Sequence, residues 1–141
     1  MRRHTKSLQL RHVDAGSCNA CEQELAALLG AGYDVQQFGI DFVASPRHAD
    51  ALVVTGPVTD TMKEAVAKVW EAVPRPRRLV ALGDCAAGCG AYQTAYASHG
   101  GVESGLGTPD LVIRGCPPNP QVILERLRNL QRGESEHADQ E

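Results

Sequence analysis

Hydrophobic and polar positions follow two rhythms along this chain. Residues 7–13 alternate apolar and polar, the period of a strand with one buried face. Residues 19–29 switch to helical spacing, with Leu25, Leu28 and Leu29 on one face and Gly30 and Gly32 as stop signals. Residues 35–40 form a second strand candidate. Residues 51–55 are a continuous apolar run closed by Gly56-Pro57, which fits a strand covered on both faces. Residues 59–73 return to helical spacing through Met62, Ala65, Val66, Val69, Trp70 and Val73, with Thr59 or Asp60 as the predicted cap and Pro74 as the stop. A further buried-strand run spans 78–82 and is followed by Gly83, and a last short strand spans 111–113. Residues 119–130 place Ile123, Leu124, Leu127 and Leu130 on one side of a final helix, and from Arg132 the chain is polar.

Strand followed by helix, repeated, predicts an α/β fold with a parallel sheet and helices on both faces. No repeat or linker divides the chain, so a single domain over 1–141 is expected, with its core at about 7–130 and a polar tail at 131–141. Residues 86–109 contain six glycines and show little periodicity. A loop of that length inside a compact domain is either functional or holds elements that the pattern does not show.

Composition narrows the function classes. The formal net charge of −3 gives no concentrated basic face for nucleic acid, and 4% aromatic residues leave little for a base-stacking platform. No apolar run approaches the roughly 20 residues that span a bilayer. Met1-Arg2-Arg3-His4 is basic with no apolar segment behind it, so the expectation is no secretory signal and a reducing, cytosolic compartment.

Five cysteines then become informative. Cys18 and Cys21 follow the first predicted strand, Cys85 follows the strand at 78–82, and Cys116 follows the strand at 111–113. In an open parallel sheet the ligand crevice lies outside the carboxyl ends of the strands, so these residues would converge on one edge. Thiolates are the usual iron–sulfur ligands. Gly16, Gly83, Gly88, Gly90 and Gly115 surround them and would let backbone come close to a bulky cluster. Cys116-Pro117-Pro118 removes two backbone donors just after a cysteine. Other readings of these residues are a thioredoxin-like Cys-x-x-Cys redox pair, a four-thiolate zinc site, and inert core cysteines.

The motifs themselves resemble a known family. Gly16-Ser17-Cys18-Asn19-Ala20-Cys21-Glu22-Gln23-Glu24 resembles the opening cluster motif of NiFe-hydrogenase small subunits. Ser45-Pro46-Arg47-His48-Ala49-Asp50, followed by Val53-Val54-Thr55-Gly56-Pro57-Val58-Thr59, resembles a block shared with the B subunit of NADH-quinone oxidoreductase. Pro74-Arg75-Pro76-Arg77, Gly83-Asp84-Cys85-Ala86 and Gly115-Cys116-Pro117-Pro118-Asn119-Pro120 continue the likeness in order, over roughly residues 7–130.

This resemblance implies a flavodoxin-like domain holding one 4Fe-4S cluster on Cys18, Cys21, Cys85 and Cys116 at the carboxyl ends of the strands. It implies no catalytic residue in this chain, only single-electron transfer to or from a large catalytic subunit. Cys-x-x-Cys in place of adjacent cysteines resembles the hydrogenase branch. The short sequence after Cys116 resembles the small subunit of membrane-bound energy-converting hydrogenases and formate hydrogenlyase-type complexes. The expected partners are then a large hydrogenase-like subunit, a ferredoxin-like iron–sulfur subunit and, indirectly, membrane subunits on the inner face of the cell membrane. Alternatives are the cluster-bearing quinone-reducing subunit of a respiratory NADH dehydrogenase, and a zinc-stabilised or cluster-free interaction domain. Cys89 stands where the family usually has Gly, either as a tolerated small residue or as an alternative ligand or redox-tuning thiol close to Cys85. By the same resemblance Arg47 and His48 are expected near the cluster or in a solvated turn, and Glu24 as a proton relay or a helix-start charge. His99 carries no assigned role.

Overall fold

The computed structural model describes residues 7–16, 18–88, 101–104 and 106–132. Five strands form one sheet: β1 (Leu8–Asp14), β2 (Ile40–Phe42), β3 (Ala51–Thr55), β4 (Arg78–Leu82) and β5 (Leu111–Ile113). Their order across the sheet is β2-β1-β3-β4-β5 and every pairing is parallel. That order is the flavodoxin-like doubly wound arrangement, with a switch point between β1 and β3. The helices are α1 (Ala20–Leu28), α2 (Asp60–Ala72), the single turn α3 (Asp84–Ala87) and α4 (Pro120–Gln131).

Period-two alternation sends neighbouring side chains of each strand into two different cores. Leu8 and Leu10 of β1, Val53, Val80, Leu82, Leu111 and Ile113 pack with Leu25 and Leu28 of α1 and Ile123, Leu127 and Leu130 of α4. Val13, Leu52, Val54, Leu79 and Ala81 face the other way, towards Val66 of α2 and its flanking Val58 and Val73. Both faces are therefore covered, and all five residues of β3 are buried, as its unbroken apolar run requires. Asn119 caps α4, its side chain accepting from the Gln121 N–H at 2.8 Å, with Pro120 in the first turn.

Two elements differ from the sequence expectation. Residues 35–40 are not one strand: Val35–Phe38 is a 3-10 helix and the strand is Ile40–Phe42. Asp34 (φ 43°) and Gly39 (φ 79°) are left-handed at either end, which closes a tight turn instead of an extended run. The glycine-rich stretch also holds structure, namely α3 at its start and a 3-10 turn at Val102–Ser104. Gly101 returns the chain to the β3–α2 loop, its N–H donating to Pro57 O at 3.0 Å. Cys89 and His99 lie outside the described residues, as does the tail beyond residue 132.

Candidate metal centre

Each of the four cysteines sits just past the carboxyl end of a strand. Cys18 follows β1 by four residues, and Cys21 is in the first turn of α1. Cys85 lies in α3 directly after β4, and Cys116 follows β5 by three residues. A parallel sheet points all these ends the same way, so residues 98 positions apart in the chain meet at one edge. Cys18, Cys85 and Cys116 all act electrostatically on Cys21. No disulfide links the four. Cys21 and Cys85 are half-buried, while Cys18 and Cys116 are exposed at the rim.

The backbone under the cysteines is laced together. Gly83 N–H donates to Ile113 O (2.7 Å) and Asp84 N–H to Gly115 O (2.9 Å). Asp84 Oδ1 accepts from Gly115 N–H and from Arg114 Nε, each at 2.9 Å. These bonds tie the Cys85 turn to the Cys116 turn. Burial pushes the Asp84 carboxyl up, but the Gly115 N–H and the Arg114 guanidinium outweigh it and hold the group below its ordinary 3.8. On the other side of the crevice Ala15 N–H donates to Thr55 O (2.7 Å) and Thr59 N–H to Ala15 O (3.0 Å), fixing the entry to the Cys18 loop.

Gly83 keeps the centre open. A Cβ there would stand 2.7 Å from Cys21 Sγ, and its φ of 89° with ψ of 163° suits glycine alone. Gly115 is also required, since a Cβ on it would stand 2.5 Å from the Pro118 Cα. The Cys116–Pro117 peptide is cis.

The Cys21 thiol is poorly suited to ionise without a cation. Burial first, then Glu22 and the other three cysteines, push the Cys21 thiol up to about 12. A redox-active Cys-x-x-Cys pair needs the opposite, a thiol with a lowered pKa. A bound cationic centre reverses this balance, because coordination deprotonates the thiols it engages. Four cysteines past the carboxyl ends of one parallel sheet, with Gly83 leaving room at the Cys21 sulfur, are the donor set that a thiolate-bound iron–sulfur group uses. Among the described residues no three His, Cys, Asp or Glu side chains close around a single ion position.

One buried polar network adjoins the centre. Thr55 Oγ1 donates to Glu22 Oε1 at 2.6 Å and lies 2.9 Å from His12 Nε2. Burial holds the His12 imidazole below its ordinary 6.5, against the upward pull of Glu22 and Asp14, with Arg11 adding to the lowering. The sequence reading overlooked Glu22, Thr55 and His12. Their one signal was a hydroxyl at the end of an otherwise apolar strand. Glu24, the acid the sequence singled out, is partly buried on α1, two residues after Glu22. Arg47 and His48 are exposed, on the 3-10 turn Pro46–His48 that leads into the amino end of β3. The cysteines stand past the carboxyl ends of the strands.

With this geometry in view, comparison with known proteins becomes specific. The model of the NADH ubiquinone oxidoreductase 20 Kd subunit family matches residues 18–130. The chain belongs to that family. Within it, the chain is 38% identical over 130 residues to the protein named "Probable membrane-bound hydrogenase subunit mbhJ" of Pyrococcus furiosus, covering 87% of this chain and 77% of that one. It is 38% identical over 119 residues to formate hydrogenlyase subunit 7 of Escherichia coli K12, covering 84% of this chain but only 46% of the relative. It is 40% identical over 111 residues to the NADH-quinone oxidoreductase B subunit of Geobacter sp. M21, covering 79% and 64%.

Among solved structures, a chain of the archaeal membrane-bound sulfane sulfur reductase superposes with a TM-score of 0.74 at 29% identity, over 90% of this chain and 70% of that one. A chain of an NAD+-reducing NiFe hydrogenase superposes with a TM-score of 0.70 over 96% and 97%, and at 18% identity this likeness concerns the fold alone. The family is thus one of oxidoreductase subunits that includes both hydrogenase-type and NADH-quinone oxidoreductase members. No helix among the described residues is long and apolar enough to cross a membrane.

Proposed function

We propose that this chain is the electron-transfer small subunit of a membrane-associated NiFe-hydrogenase-like, formate hydrogenlyase-type complex. In this reading Cys18, Cys21, Cys85 and Cys116 hold one 4Fe-4S cluster proximal to the catalytic site of a large subunit. The observation that supports it is the placement of four cysteines just past three strand ends of one parallel sheet, with Gly83 leaving room at the Cys21 sulfur. When bound, the cluster supplies reversible storage of one electron.

The chain's own residues do the rest. Cys21 and Cys85 supply the half-buried side of the site, and Cys18 and Cys116 supply its exposed rim. Asp84 and Arg114 hold the Cys85 and Cys116 turns at a fixed separation. The rim faces outward, where a large subunit would cover it and exclude water. The chain has no catalytic residue of its own, forms a single iron–sulfur domain, and lies on the cytoplasmic face of the membrane through its partners, which include a ferredoxin-like subunit.

A second reading, the cluster-bearing subunit of a quinone-reducing NADH dehydrogenase-type complex, is favoured by the 40% identity to the Geobacter protein. Against it stands the Cys-x-x-Cys spacing of Cys18 and Cys21. Anaerobic co-purification through a tag on this chain separates the two. A large partner carrying nickel, in a complex that evolves hydrogen, supports the first reading. A nickel-free complex that reduces quinone from NADH replaces it with the second.

A further inference from the structure

Thr55 is the one fully buried polar residue among those described, at 0% exposure. Its hydroxyl has a single proton, and that proton is donated to Glu22 Oε1 at 2.6 Å. At 2.9 Å from His12 Nε2, Thr55 must therefore accept, which places the imidazole proton on Nε2. The result is a directed row from β1 through β3 to α1: His12 Nε2–H to Thr55 Oγ1–H to Glu22 Oε1. His12 Nε2 is also 3.7 Å from the same Glu22 oxygen.

The row ends at the start of α1, where Glu22 is the residue after Cys21. Its side chain is only 17% exposed, so water screens its charge weakly. A carboxylate is costly to bury, and a packing tie between α1 and the sheet needs no charge. A cleft of about 240 Å³, lined by His12, Glu22, Leu25, Ala26, Leu29 and Phe42, opens alongside. Without the Thr55 hydroxyl, the carboxylate is free to turn further into this cleft.

We propose that Thr55 and His12 are positioning residues that fix the Glu22 carboxylate at the start of α1, one residue from the ligand Cys21, and that this fixed negative charge lowers the reduction potential of the cluster. The inference rests on the cluster reading above. A weakly screened negative charge near the cluster disfavours the added electron, so the row sets how strong a one-electron donor the site requires.

The test is an EPR-monitored redox titration at one fixed pH, on the full chain purified anaerobically, with iron counted for every variant. Glu22→Gln keeps an oxygen that accepts from Thr55 and removes only the charge. The expected result is full iron, an unchanged EPR line shape, and a reduction equilibrium moved at least tenfold towards the reduced form, which is about 59 mV for one electron. Thr55→Val should move it the same way by releasing the carboxylate, and Thr55→Ser should restore the wild-type value. If Glu22→Gln loses iron, the Thr55 pair carries the same test. Iron-loaded variants that titrate as wild type does would overturn the proposal and leave a structural tie. Absence of iron from the wild-type chain would instead remove the cluster reading itself.

Discussion

At the residue scale, the site depends on what is missing as much as on what is present. Gly83 has no side chain where one would press on Cys21 Sγ at 2.7 Å, and its backbone lies in a region that only glycine occupies readily. Gly83→Ala should cost about 1–3 kcal/mol from backbone strain alone. It should also lower iron per chain, because the added methyl enters the space between Cys21 and the Cys85 turn. Urea unfolding and iron analysis on one preparation check both, and a variant with wild-type midpoint and iron would refute the packing argument. The sequence marked Gly83 as a neighbour of a cysteine but gave no sign that it faces Cys21, 62 positions away. Glu22 and Thr55 were illegible for the same reason. Thirty-three positions separate them, and only the β1–β3 pairing brings α1 over the end of β3.

At the element scale, the connections between strand ends matter more than the strands. β3 and β4 were readable because a strand buried on both faces prints as an unbroken apolar run. The segment 35–40 was misread because Val35 and Phe38, three apart, serve a 3-10 turn, while the left-handed Asp34 and Gly39 that fix it carry no unambiguous sequence mark. α3, four residues long, is too short to show a period. Its orientation comes from Asp84, which bonds Gly115 and Arg114 across from β5.

That tie gives a pH dependence. A carboxyl held below its ordinary 3.8 stabilises the fold fully above that value and loses its contribution as pH falls through the lower folded-state value. Asp84→Asn should therefore be less stable than wild type at pH 7, with the gap closing below about pH 4. Denaturant midpoints of both proteins from pH 7 to pH 2.5 measure it. A gap constant over that range would exclude the ionic tie.

At the scale of the whole molecule, a β2-β1-β3-β4-β5 parallel sheet turns separate motifs into one centre. Its geometry directs every strand's carboxyl end to one edge, and the cysteines occupy that edge after β1, β4 and β5. This convergence was legible because it needs only strand positions and a common direction. Whether Cys89 joins the centre was not legible, since it falls in a glycine-rich stretch without periodicity and outside the described residues. The same topology separates Arg47 and His48, at the amino end of β3, from the thiols past the carboxyl ends.

The central claim is that the four converging thiols hold one four-iron cluster. Iron and acid-labile sulfide should be counted per chain in the anaerobically isolated protein, with EPR after dithionite reduction, for wild type and for Cys85→Ser. The account predicts about four irons and four sulfides per wild-type chain with a reduced-cluster signal, as a 4Fe-4S group requires, and loss of both in Cys85→Ser. A well-folded wild-type protein that contains zinc or no metal, or a Cys85→Ser variant with undiminished iron and signal, would contradict it.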